Sequence, residues 1–143
     1  MSIVNNHKVI NFKNYAQQSI SANTKLPGTT GVNTQAESVR GAFELNTKML
    51  LLIEVVVATD GKLNIDVETM NDEDTDFVKL CDIPEIAANG MYMVEVDGFR
   101  KNIRLSSTVT GGAVTWNAKG ICFDARRGPI KQADSTALTP IYV

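Results

Sequence analysis

The densest chemistry in the chain is the acidic run from Glu68 to Asp76, in which Asp72, Asp74 and Asp76 recur at every second position. Alternating carboxylates suit calcium, a hard cation that collects oxygen ligands. The run departs from the helix-loop-helix calcium loop. Counted from Asp72, the positions that need a glycine and a chelating glutamate hold Phe77 and Ile83. A solvated hairpin loop is the plainer reading, and an irregular calcium-binding loop between strands stays open beside it.

Other reactive residues are scattered. Glu54, Asp66, Glu68, Glu95 and Asp97 lie in strand-like segments and could serve hydrolysis by paired carboxylates, but their spacing does not set two of them astride a bond. Ser106 and Ser107 lack a nucleophile turn, and His7 is the single histidine, so a triad would depend on a terminal residue. Cys81 and Cys122 stand far apart in apolar segments without a CxxC partner, which reads as two buried free thiols and not as a disulfide or zinc site. Neither GxxxxGK nor GxGxxG occurs. Trp116, the only tryptophan, can serve as a sugar-stacking platform, although a lone strand tryptophan more often packs in a core or interface. The expectation is a protein that is not an enzyme and has no resident cofactor or metal.

The elements that must position these residues are strands. From Lys48 to Phe123 short apolar or alternating segments are separated by Asp60-Gly61, Asn89-Gly90, Asp97-Gly98 and Gly111-Gly112, dipeptides that suit tight hairpin turns. Lys48 to Val57 is apolar on both faces, as in a central strand covered by another layer. Leu63, Ile65 and Val67 alternate with Asn64, Asp66 and Glu68, giving one buried and one wet face. Similar segments follow at Asp76 to Ile83, Met91 to Val96, Asn102 to Val109 and Thr115 to Phe123. Met91, Met93 and Glu95 share a face that reads as a partly apolar contact surface. The pattern predicts an all-β fold, a two-sheet antiparallel β-sandwich of jelly-roll type with about eight strands.

The length of 143 residues fits one domain. It divides into an N-terminal segment (1–22) holding an edge strand or two, a Thr-, Asn-, Gly- and Pro-rich long loop (23–46), the sandwich core (47–125) and a C-terminal arm (126–143). Such a long connection is usually functional or disordered. Thr34 to Arg40 can form one helical turn or a short strand. The arm ends in Pro140-Ile141-Tyr142-Val143, apolar residues that suit a tail folded back on its own sandwich or laid across a neighbouring subunit. The apolar run Met49 to Ala58 contains Glu54 and is far shorter than the ~20 residues a spanning helix needs, and Met1 to Asn6 has no signal-peptide pattern. The expectation is synthesis in a cytoplasm.

Charge is unevenly placed along the chain. Residues 61–99 hold ten Asp or Glu against two Lys, whereas residues 100–143 hold seven Lys or Arg against two Asp. Such segments suit docking between subunits, with a mixed solvated surface as the plain alternative. No basic stripe interleaved with aromatics suggests nucleic acid.

Several of these segments carry a family likeness: Leu51-Leu52-Ile53-Glu54-Val55-Val56-Val57, Leu63-Asn64-Ile65-Asp66-Val67-Glu68-Thr69 with its polar loop, Ile83-Pro84, Ile86-Ala87-Ala88-Asn89-Gly90, Asn102-Ile103-Arg104-Leu105 and Ala113-Val114-Thr115-Trp116-Asn117-Ala118. Over roughly residues 45–125 the chain resembles the jelly-roll cement, or decoration, proteins of tailed-bacteriophage capsids. The resemblance implies a non-enzymatic virion protein, made in the host bacterial cytoplasm, that sits on the outer capsid surface as a small homo-oligomer. A homotrimer is favoured over a homodimer, and the partner is the phage major capsid protein, with neither nucleic acid nor membrane involved.

Charge and position, independently of that likeness, nominate Arg40, Arg100, Lys101, Arg104, Arg126 and Arg127 as basic contacts and Ile141, Tyr142 and Val143 as apolar anchors. The rival reading is a carbohydrate-binding β-sandwich, a receptor-binding or fibre-associated module using Trp116, Tyr92 and the loop around Asp72 to Asp76. The low aromatic content of 6% counts against it. A third reading is a small hydrolase using Glu54 or Glu68.

Overall fold

The computed structural model describes residues 8–37, 43–44, 46–57, 60–123 and 139–142. They contain strands and no helix. In chain order these are β1 (Lys8–Gln18), β2 (Asn23–Leu26), β3 (Val32–Asn33), β4 (Ala36–Glu37), β5 (Phe43–Glu44), β6 (Lys48–Val57), β7 (Lys62–Met70), β8 (Val78–Ile86), β9 (Gly90–Asp97), β10 (Asn102–Thr110), β11 (Val114–Phe123) and β12 (Thr139–Tyr142).

The pairing is nested. β1 pairs with β11, β2 and β3 with β10, β6 with β9, and β7 with β8, all antiparallel. This is one long hairpin folded at the β7–β8 turn. Rolling it up brings β6 beside β11 and β7 beside β10, which yields one sheet ordered β1-β11-β6-β9-β12 and another ordered β2-β10-β7-β8. That is the jelly-roll arrangement. The small hairpin β4–β5 stands apart from both sheets.

Alternation explains the core. Leu63, Ile65, Val67 and Thr69 are buried along β7 while Asn64, Asp66 and Glu68 point outward, and β10 matches with Ile103, Leu105, Ser107 and Val109. The first sheet meets them with Met49, Leu51, Ile53, Val55, Val94, Val96, Trp116 and Ala118. One polar knot ties the layers together. Gln18 Oε1 accepts from Ser107 Oγ (2.9 Å) and Trp116 Nε1 (3.2 Å), while Gln18 Nε2 donates to the Ser107 and Ala22 carbonyls (3.1 and 2.9 Å). The amide is thereby fully satisfied, as a buried polar group must be.

One expectation needs revision. The stretch 23–46 is not one long loop, because β2 and β3 both pair with β10 and act as a single edge strand interrupted at residues 27–31. Pro27 has no N–H to continue the ladder, and Gly31 takes φ +70°. A Cβ at Gly31 would lie 2.6 Å from the Phe77 ring, so only glycine fits the return. Of the two courses open to the tail, its described part takes the one along its own sandwich. The backbone of β12 pairs in parallel with β9, setting Ile141 opposite Val94 and Tyr142 opposite Glu95 of the same chain.

Candidate interaction surface

Among the nominated basic residues, the structure brings Arg100, Lys101 and Arg104 against the acidic run. Because β7 and β10 are neighbours, the loop after β7 and the turn before β10 leave the same end of the sandwich. Arg100 Nη1 reaches Asp74 Oδ2 at 2.8 Å, and Lys101 Nζ pairs with Asp72. The backbone adds to this. Arg100 N donates to Thr69 Oγ1 (2.7 Å), Asn71 N to Asp74 Oδ2 (2.8 Å), and Asn102 Nδ2 to Asp72 Oδ1 (3.0 Å).

These contacts move the carboxyls. The Lys101 ammonium holds Asp72 below its ordinary value, and the Asn71 N–H, with Arg100 behind it, does the same for Asp74. The opposite charges read as docking patches are therefore spent, at this end, on each other. Asp72 and Asp74 face cations of their own chain, and the described residues contain no cluster of three or more His, Cys, Asp or Glu suited to a metal.

Arg104 is more enclosed. Its Nε bonds Glu68 Oε1 at 2.6 Å, both side chains are only 16% exposed, and the guanidinium stacks 4.1 Å from the Phe77 ring centroid. Its Nη1 donates to the Thr29 carbonyl at 2.5 Å, filling the interruption between β2 and β3. The Arg104 side chain is thus held on three sides by its own chain. Lys25 joins Glu68 at 3.5 Å from the other flank. Arg40, Arg126, Arg127 and Val143 lie outside the described residues, and Ile141 and Tyr142 are placed by backbone alone.

The same end holds a cavity of about 650 Å³ lined by Phe99, Asn46, Gln35 and Asn71 among others. Asn46 is buried, with Nδ2 on the Thr34 carbonyl (2.8 Å) and Oδ1 without a donor.

The carboxylates weighed for hydrolysis are likewise engaged. Glu54 accepts from Asn117 Nδ2 (3.0 Å), and Lys48 holds Glu95 and Asp97 (3.1 and 3.5 Å). Asp66 and Asp82 face each other across β7 and β8. The hydrogen bond between them raises Asp66 and lowers Asp82, which also meets Lys79 at 2.7 Å. Cys122 is a buried thiol pushed up to about 12 by desolvation, and Cys81 is half-buried and shifted upward by the same cause. Trp116 has no exposed face, so it belongs to the core and offers no platform for a sugar. Tyr92, half-buried, gives its hydroxyl to the Ala88 carbonyl at 2.8 Å.

Of the exposed large apolar side chains among the described residues, Val9, Tyr15, Val56 and Met91 lie on the outer face of the five-stranded sheet, and Ile20 and Val78 lie elsewhere. The register sets Val9 beside Ile121, Ile121 beside Leu50, Leu52 beside Met93, and Glu54 beside Met91 on that face. Half of it is closed: Leu50, Met93 and Phe123 form a second buried cluster with Leu52 against it. Away from that cluster Tyr15, Met91 and Val56 are exposed by 53, 45 and 43% among Glu54, Asn117 and Lys119, while Val9, 66% exposed, stands in the row of Ile121 and Leu50. The sequence pointed to Met91 and Met93 but not to Val9, Tyr15, Leu52 or Ile121, whose common face depends on a register between distant strands. No known protein family, curated protein or solved structure matches this chain.

Proposed function

We propose that the chain is a non-enzymatic structural protein of a phage virion, a cement or decoration protein that binds the outer capsid surface and stabilises contacts between major capsid proteins. The observation that carries this reading is the open apolar half of the five-stranded sheet's outer face, on a fold whose charged groups are largely paired internally. Exposed apolar residues grouped on one face, not scattered singly, are the signature of a contact surface. A jelly roll supplies a rigid plate for such a face, and repetition over a symmetric shell converts modest single contacts into firm attachment.

The hydrolase reading draws less support. Asp66 and Asp82 are the carboxylates that meet, and they touch each other on the outer face of the other sheet, where a substrate bond cannot be held between them. The carbohydrate reading loses its main ring in Trp116.

The test is co-sedimentation of the purified protein with shells assembled from major capsid protein alone, paired with light scattering of the free protein. Saturable binding in a fixed ratio to the capsid protein is the expected result. A protein that stays in the supernatant at every shell concentration overturns the reading.

A further inference from the structure

The open half of the apolar face contains a socket of about 330 Å³. Leu52 and Met91 form its apolar lining and Tyr15 stands beside them, so an aliphatic side chain entering it would meet carbon at its base. Its volume is at the lower edge of the roughly 300–1,000 Å³ typical of ligand clefts, which suits one or two protruding side chains.

The rim is one-sided in charge. Lys13 and Lys119 line it together with the amides of Asn11, Asn14 and Asn117, and no carboxylate does. Lys13 is fixed in place, its Nζ donating to the carbonyls of Ala16 (2.6 Å), Trp116 (3.0 Å) and Asn14 (3.2 Å). Those three carbonyls take all three N–H groups of the ammonium, whose pKa desolvation also lowers from the ordinary lysine value, so Lys13 is a fixed wall of the socket and not a free donor. Lys119 is exposed on β11 and has no ion-pair partner among the described residues. Glu54, beside Met91 and Asn117 in the register, accepts from the Asn117 amide at 3.0 Å and does not line the socket. The site is therefore apolar at its base, with one exposed and unpaired cation, Lys119, at its rim.

We propose that this socket receives an aliphatic side chain from a carboxylate-bearing segment of the partner protein, with the carboxylate meeting Lys119 at the rim. An apolar knob supplies affinity and the charges fix its register and speed its arrival. The inference rests on the capsid-binding reading and adds to it the place of contact and the chemistry of the partner segment.

The experiment uses the full chain and shells of major capsid protein. Met91→Glu puts a charge in the socket at a site already 45% exposed, and is expected to weaken co-sedimentation roughly tenfold or more. Lys119→Glu is expected to weaken it severalfold at low salt, with the difference vanishing near ~0.5 M salt. Lys79→Glu, on the outer face of the other sheet, is the control and binds as the parent does. A photo-crosslinking residue at position 91 is expected to label a capsid-protein segment with Asp or Glu close to the labelled aliphatic residue. If the parent protein fails to bind shells, the capsid reading itself is overturned. If the parent binds while Met91→Glu binds equally well, or the crosslink maps to a basic segment, the socket inference alone is overturned.

Discussion

The two outer faces of the sandwich are built from strands of similar length, yet they treat their side chains in opposite ways. On the four-stranded sheet, Lys25 and Arg104 hold Glu68, and Lys79 and Asp66 meet Asp82, so these charged groups find their partners within the chain. On the five-stranded sheet, Leu50, Leu52, Val56, Met91, Met93, Ile121 and Phe123 share the outward positions with Glu54, Glu95, Asn117 and Lys119, closed around Leu50 and open at Met91 and Val56. A face that completes its own interactions has little left to offer a partner. A face that leaves carbon in water gains by being covered, at about 25 cal/mol per Å² of apolar surface removed from solvent.

The largest test of that contrast lies within the apolar face itself. Leu50→Ala is expected to cost about 3 kcal/mol in chemical denaturation, because Leu50 is 1% exposed and its loss opens a cavity against Met93 and Phe123. A cost below ~1 kcal/mol would mean that the cluster is not closed. Next comes the polar face. Arg104→Ala leaves Glu68 half-enclosed and strips the guanidinium from Phe77, with an expected loss of about 2 kcal/mol. Lys25→Ala, on the longer and wetter arm of the same network, is expected to cost under ~1 kcal/mol.

On the open half of the apolar face, Val56→Thr and Met91→Gln are expected to change stability by no more than ~0.5 kcal/mol, since these side chains gain little from their own fold. A loss comparable to that of Leu50→Ala would place them in the core and remove them from the contact surface.

The smallest effect is a pH dependence. The hydrogen bond to Asp82 raises Asp66, so the folded chain holds a proton there that the unfolded chain has released, and stability from this pair falls as pH rises from the ordinary aspartate value of about 4 through the raised one. Asp66→Asn keeps a neutral partner for Asp82, so the melting-temperature advantage of the variant should be larger at pH 7 than at pH 4. Asp72 and Asp74 have the opposite sign. Held low by Lys101, Asn71 and Arg100, they contribute above the ordinary aspartate value and lose that contribution as pH falls through their lowered values. They are common to parent and variant and cancel in the comparison. An offset independent of pH would contradict the assigned pairing.

Much of the fold was legible because burial writes a period of two into sequence. The β7 alternation, the β10 alternation and the glycine-bearing turns named their strands, and Gly111 at φ +77° with Asp60 at +62° occupy turns where such residues were expected. β2 and β3 escaped notice because they are short, polar and split by Pro27, and a strand that pairs along one edge with β10 carries little hydrophobic signal. The surface was harder to read. Arg100 and Lys101 look like free cations in the sequence, and only the adjacency of β7 and β10 shows them facing Asp74 and Asp72. Likewise, β6 reads as a strand covered on both faces, while the fold covers its outward side at Leu50 and leaves Val56 open.

The most direct test of the central claim is hydroxyl-radical footprinting of the protein free and bound to shells. Oxidation of Met91 and Tyr15 should fall severalfold on binding, while the Lys79 to Asp82 segment of the other face keeps its free-state labelling. Protection of that polar face, with Met91 and Tyr15 still labelled at the free rate, would contradict the account.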